Sequence, residues 1–156
     1  MGNVKLEKRK SMTIAYVEHT GPYDKVPWEE YMKTLYGWAK EKKVMPGFYP
    51  LGIYLDDPEK TPKSKCRSQI AIPLYGKVKS EGKIKVRKLP SMTVAAISHK
   101  GPGEEFKNTY KQLTEWVEGK GLKWAGPPIE IYTKKPEVVG GKPILYAKVL
   151  APVKKK

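Results

Sequence analysis

One carboxylate in this chain stands where a carboxylate is expensive. Residues 126–137 read GPPIEIYTKKPE, with Glu130 between two isoleucines and Tyr132 two positions on. Residues 48–59, FYPLGIYLDDPE, keep the Ile-Tyr and the later Pro-Glu but carry Gly52 where Glu130 stands. Strand alternation puts Glu130 and Tyr132 on one face and Ile129, Ile131 and Thr133 on the other; it likewise sets Gly52 and Tyr54 opposite Leu51, Ile53 and Leu55. A carboxylate in an apolar wall must meet a cation or keep its proton with a raised pKa. Tyrosine faces nearby attract soft cations, by about 0.5–2 kcal/mol each. The first outcome makes a binding site for a cationic or aromatic compound, and the second also suits general acid–base catalysis. Glu130 is therefore the candidate acidic group, with Tyr132 and Tyr54 on its wall, and Gly52 is expected to leave open space beside it. The alternative is a solvent-facing glutamate among the many lysines.

Other residues carry weaker signals. Tyr146, where the first copy has Arg67, and Tyr16, where the second has Ala96, are asymmetric aromatics that would line the same site or serve as half-exposed sheet surface. Trp124, in GLKWAGPP, would overhang a pocket mouth or pack on its own surface. Trp38 and Trp116 fall on helical stripes and read as core. His19 and His99 precede Gly-Pro in both copies, which points to a turn device. One cysteine and two histidines lying 80 residues apart give no metal-ligand spacing. Ser91 and Ser98 have no nucleophile-elbow context. Neither GPG at 101–103 nor VVGGKP at 138–143 forms a phosphate loop. No cofactor or metal is expected.

The elements that must position these residues are written twice. VKLEKRKSMTIAYVEHTGP (4–22) lies over IKVRKLPSMTVAAISHKGP (84–102), with Ser11, Met12, Thr13, His19, Gly21 and Pro22 repeated. Farther on, Trp28, Met32, Leu35, Trp38 and Ala39 meet Phe106, Tyr110, Leu113, Trp116 and Val117. Each copy begins with an alternating strand, then a β-branched strand covered on both faces, then a Gly-Pro break. An amphipathic helix follows, and two more strands close the copy. The expected fold is α+β: a β-β-α-β-β order occurring twice, strands paired by hairpins into mostly antiparallel sheet, and a pseudo-two-fold between repeats 4–75 and 84–153 of one domain over 1–156.

The bulk properties narrow the class. A chain of 156 residues can bury a core without disulfides. The lone Cys66, the polar N-terminus and the lack of a long apolar run make the expected location cytoplasmic, with no membrane partner. The net charge is +15, yet only Arg9, Arg67 and Arg87 are arginine. Scattered lysine reads first as a solvated surface. A nucleic-acid or acidic-protein patch is the lesser alternative.

The duplicated order of these motifs resembles the GyrI-like small-molecule-binding family, which is similar to the effector-binding domains of multidrug-responsive transcription regulators. The motifs are the H-x-G-P turn, the helix with a late Trp, the P-x-x-E-x-Y strand and the closing strand that ends Pro-Val. The resemblance spans about residues 4–153. It implies a duplicated β-α-β-β unit and a cleft between halves that takes bulky, lipophilic, often cationic compounds through aromatic walls and one acidic residue, matched here by Glu130. Some stand-alone members resemble hydrolases that open strained cyclopropane rings. The expected activity is small-molecule binding, with hydrolysis at the same carboxylate as the alternative. The expected partners are a small hydrophobic or cationic ligand and a regulator encoded elsewhere. These 156 residues leave no room for the DNA-binding domain of the regulators. The basic charge also separates the chain from the acidic gyrase-inhibiting member, so gyrase inhibition is not expected.

Overall fold

The computed structural model describes residues 3–156. Ten strands and two helices follow in order: β1 (Lys5–Arg9), β2 (Met12–Thr20), α1 (Trp28–Glu41), β3 (Met45–Pro46), β4 (Leu51–Tyr54), β5 (Arg67–Tyr75), β6 (Lys85–Leu89), β7 (Met92–Gly101), α2 (Phe106–Gly119), β8 (Leu122–Trp124), β9 (Ile129–Val139) and β10 (Lys142–Lys155). All the strand pairings described are antiparallel. The chain divides into two compact units, one of Ser11–Pro90 and one of Met1–Lys10 with Ser91–Lys156.

In the unit 11–90 the strands run β6–β2–β5–β4, with β3 added beside the end of β5. Ile14, Ala15, Tyr16 and Val17 are all buried, as expected for a strand covered on both faces. Leu35, Trp38 and Ala39 of α1 lie one helical turn apart and pack on Ala15, Val17, Ile70 and Ile72. The helix ends with Lys43 in the left-handed region (φ 59°), and the Val44 N–H returns to the Ala39 carbonyl at 3.0 Å.

The other unit runs β1–β7–β10–β9, with β8 on β10. Leu113 and Val117 of α2 pack on Ala95, Ile97, Val149 and Ala151. Directly opposed residues of an antiparallel pair share a face, so Ile97, Val149 and Glu130 form one row on the side facing α2. His99, Ala147 and Tyr132 form the next row.

The expected hairpins need correction at two places. β1 and β2 are consecutive but do not pair; β1 lies on β7, and β6 lies on β2. Only Lys10 and Ser11 join β1 to β2, and only Pro90 and Ser91 join β6 to β7. A two-residue hairpin needs positive φ, normally from Gly or Asn, and none of these four residues adopts it. The chain therefore carries straight on into the other unit. β9 and β10 do form a hairpin, turned by Gly140 (φ 59°) and Gly141 (φ 80°).

Candidate functional site

Glu130 sits on β9 with only 7% of its surface exposed. The strand turns it toward α2 because its cross-strand partner is the fully buried Val149. Two tyrosine hydroxyls meet it there. Tyr110, on α2, donates to one carboxyl oxygen at 2.6 Å, and Tyr132 folds back along β9 to donate to the other at 2.7 Å. Burial pushes the Glu130 carboxyl above its ordinary range, and the two hydroxyls pull it part of the way back. Among the described residues the ion pairs found do not include this carboxylate. The arrangement is an acidic group held by two neutral donors.

The second row adds a buried imidazole. His99 is 5% exposed, with Nδ1 at 2.7 Å from the Thr109 hydroxyl and its ring stacked on Phe106 at 3.8 Å. Its Nε2 is buried without a partner. His19 repeats the pattern in the other unit, with Nδ1 at 2.9 Å from the Tyr31 hydroxyl and Nε2 buried and unsatisfied. In both units the imidazole ties a strand end to the adjacent helix, in keeping with a structural device.

Each of the remaining candidates has its own local setting. Tyr54 is in the unit 11–90, where its ring lies edge-on to Tyr23 at 4.8 Å. It covers Gly52: a Cβ there would stand 2.7 Å from the Tyr54 hydroxyl and 2.9 Å from its ring carbons. The open space expected at Gly52 is therefore filled. Tyr132 and Tyr54 make the same fold-back along their strands, and what differs is whether a carboxylate or a bare backbone lies beneath. Tyr16 is buried in the same unit, with the Arg87 guanidinium 5.4 Å from its ring. Tyr146 points to the face of β10 opposite Ala147, with Lys100 and Lys134 at 5.8 and 4.8 Å from its ring. Trp124 pairs with Val153 and packs half-buried against the α2 core. The structure thus brings Glu130 and Tyr132 together and adds Tyr110, which reads in the sequence as one more apolar position on the helix stripe. The signal for Tyr110 was its mismatch with Met32 in the first copy.

Residues 2–154 match the GyrI-like small molecule binding domain, and the chain belongs to this GyrI-like family. It is 28% identical over 133 residues to the "SPbeta prophage-derived putative transcriptional regulator YosT" of Bacillus subtilis (strain 168), covering 85% of this chain and 89% of that one. Among solved structures it resembles the C-terminal domain of EcmrR, with a TM-score of 0.77, 19% identity, and coverage of 100% of this chain and 99% of that domain. It spans only 58% of the EcmrR chain in the EcmrR–DNA complex. A hydrolase encoded by lin2189 from Listeria innocua superposes with a TM-score of 0.71 at 14% identity, over 97% of this chain and 91% of that one. SAV2435 bound to tetraphenylphosphonium does so with a TM-score of 0.59 at 12% identity, over 97% of this chain and 94% of that one. At these identities the structural likenesses establish the fold.

Proposed function

From this GyrI-like membership, we propose that the chain is a binding module for lipophilic cations, with Glu130 as the counter-charge. The observation that carries the reading is the buried carboxylate whose two oxygens accept from Tyr110 and Tyr132. Neutral donors orient and partly stabilise a carboxylate but bring no opposite charge. A soft cation with apolar flanks would supply that charge, and the two tyrosine rings would add favourable faces. The tetraphenylphosphonium bound to SAV2435 is a ligand of this chemical type.

Tetraphenylphosphonium is therefore the first probe. Glu130→Gln keeps the size and most hydrogen bonds but removes the charge. Affinity for the cation, measured by calorimetry, is expected to fall at least tenfold, about 1.4 kcal/mol. Affinity for a neutral analogue of the same shape should change much less. Equal losses for both compounds would mean that the carboxylate shapes the site without serving as counter-charge.

A hydrolytic reading uses the same atoms and is favoured by the raised pKa of Glu130 beside the Tyr132 hydroxyl. Here Glu130 would act as general acid or base on a strained-ring electrophile, with Tyr132 polarising the leaving atom. Product formation from such an electrophile, abolished in Glu130→Gln while affinity persists, would establish catalysis. Cation binding without turnover leaves the binding module.

A further inference from the structure

A second surface, in the unit 11–90, does not depend on the reading above. Four large apolar side chains stand in water there: Phe48 at 95% exposure, Tyr75 at 69%, Met45 at 67% and Tyr49 at 51%. Met45 and Tyr75 are direct cross-strand partners of β3 and β5. The loop that carries Phe48 and Tyr49 is held in place. The Gly47 N–H donates to the Pro73 carbonyl at 2.9 Å, and the Tyr36 hydroxyl donates to the Gly47 carbonyl at 3.2 Å. Glycine suits position 47 because a Cβ would press on the Pro73 ring at 3.0 Å. The rings are thus displayed on an anchored support.

The corresponding edge of the other unit does without them. There the cross-strand pair is Lys123 with Lys154, in place of Met45 with Tyr75. The sequence repeat puts Gly126 and Pro127 where Phe48 and Tyr49 stand. One edge carries lysine; its counterpart carries rings, with the exposed Lys43 shortly before Met45 in the chain and the exposed Lys77 shortly after Tyr75.

We propose that Phe48, Tyr49 and Tyr75, with Lys43 and Lys77 beside them, form a stacking surface for single-stranded nucleic acid bound without base preference. Such strands offer a phosphate and a flat apolar base at every step, matching cations and rings set side by side. Lysine meets phosphate as a point charge, and ring stacking accepts any base. An acidic polypeptide would satisfy the charge but brings flat rings only sporadically. A second copy would bring its own net charge of +15 against this one.

The probe is a labelled oligothymidylate of about 20 bases, followed by anisotropy between about 50 and 300 mM salt. An oligoadenylate of the same length runs beside it. Binding of both is expected, and Tyr75→Ala and Phe48→Ala should each weaken it at least fivefold. Phe48→Lys is the decisive variant, because residue 48 is in solvent and its replacement leaves the core untouched. Loss of the ring should weaken binding even though the variant gains a positive charge. Tighter binding by Phe48→Lys would show charge condensation alone and would overturn the proposal. So would an absence of oligonucleotide binding at the lowest salt. Ring-dependent binding of polyglutamate without oligothymidylate binding would assign the surface to an acidic protein. A dimer that Phe48→Lys dissociates, with oligonucleotide affinity unchanged, would assign it to a second copy.

Discussion

At the residue scale the molecule turns on the protonation of Glu130. Burial raises its pKa above the ordinary glutamate value of 4.5, so unfolding releases a stronger acid than the folded chain holds. The sign follows: the unfolded state loses its proton first, and stability falls as pH climbs from about 4.5 through the folded value. Glu130→Gln should abolish this contribution, so the difference between variant and parent in urea midpoint should widen in favour of the variant as pH rises through that window. Cation affinity should run the opposite way, rising over the same window as the carboxylate ionises. A parent whose urea midpoint tracks that of the variant at every pH would contradict the assignment. Tyr110→Phe removes one hydroxyl donor at about 1 kcal/mol and should move the upper end of the window, set by the folded state, upward while its lower end stays in place. Glu130 and Tyr132 were legible because they break a repeat on a strand whose alternation is unambiguous. Tyr110 was not, since a tyrosine on an amphipathic stripe is sufficiently explained by its ring, and only coordinates show where its hydroxyl lands.

At the element scale the two third strands use one device over different floors. Gly52→Ala would ordinarily stabilise a strand by restricting the unfolded chain. Here the added methyl meets the Tyr54 ring at 2.9 Å or less, so a loss of about 1–3 kcal/mol is expected by thermal unfolding. Gly52→Ala combined with Tyr54→Ala should lose the steric part of that penalty. At the end of α1, Lys43 holds a left-handed conformation that Gly121 holds in the other repeat. Lys43→Gly should therefore gain about 1 kcal/mol in denaturant titrations. Periodicity located both helices and the four long strands of each copy. It missed the short strands β3 and β8, whose two and three residues are too few to alternate. It also missed the partners of β1 and β6, because alternation fixes which face a residue takes and leaves the neighbouring strand unspecified.

At the scale of the whole chain the compact units are offset from the sequence repeats. The repeat begins at β1, yet β1 lies on β7, while β6 completes the sheet that β2 begins. A fragment of residues 11–90 contains all four long strands of its unit, whereas one of residues 4–83 carries β1, which has no partner there. Far-UV circular dichroism with urea titration should find cooperative unfolding in the first and a shallow, non-cooperative loss in the second. Equal cooperativity would mean that β6 contributes little to its sheet. The crossings at Lys10–Ser11 and Pro90–Ser91 also constrain ancestry. A primordial gene for a single repeat would have encoded a polypeptide that could not complete its own fold, only that of a twin. Within one chain that exchange is intramolecular, so its completion does not depend on how many copies the cell makes.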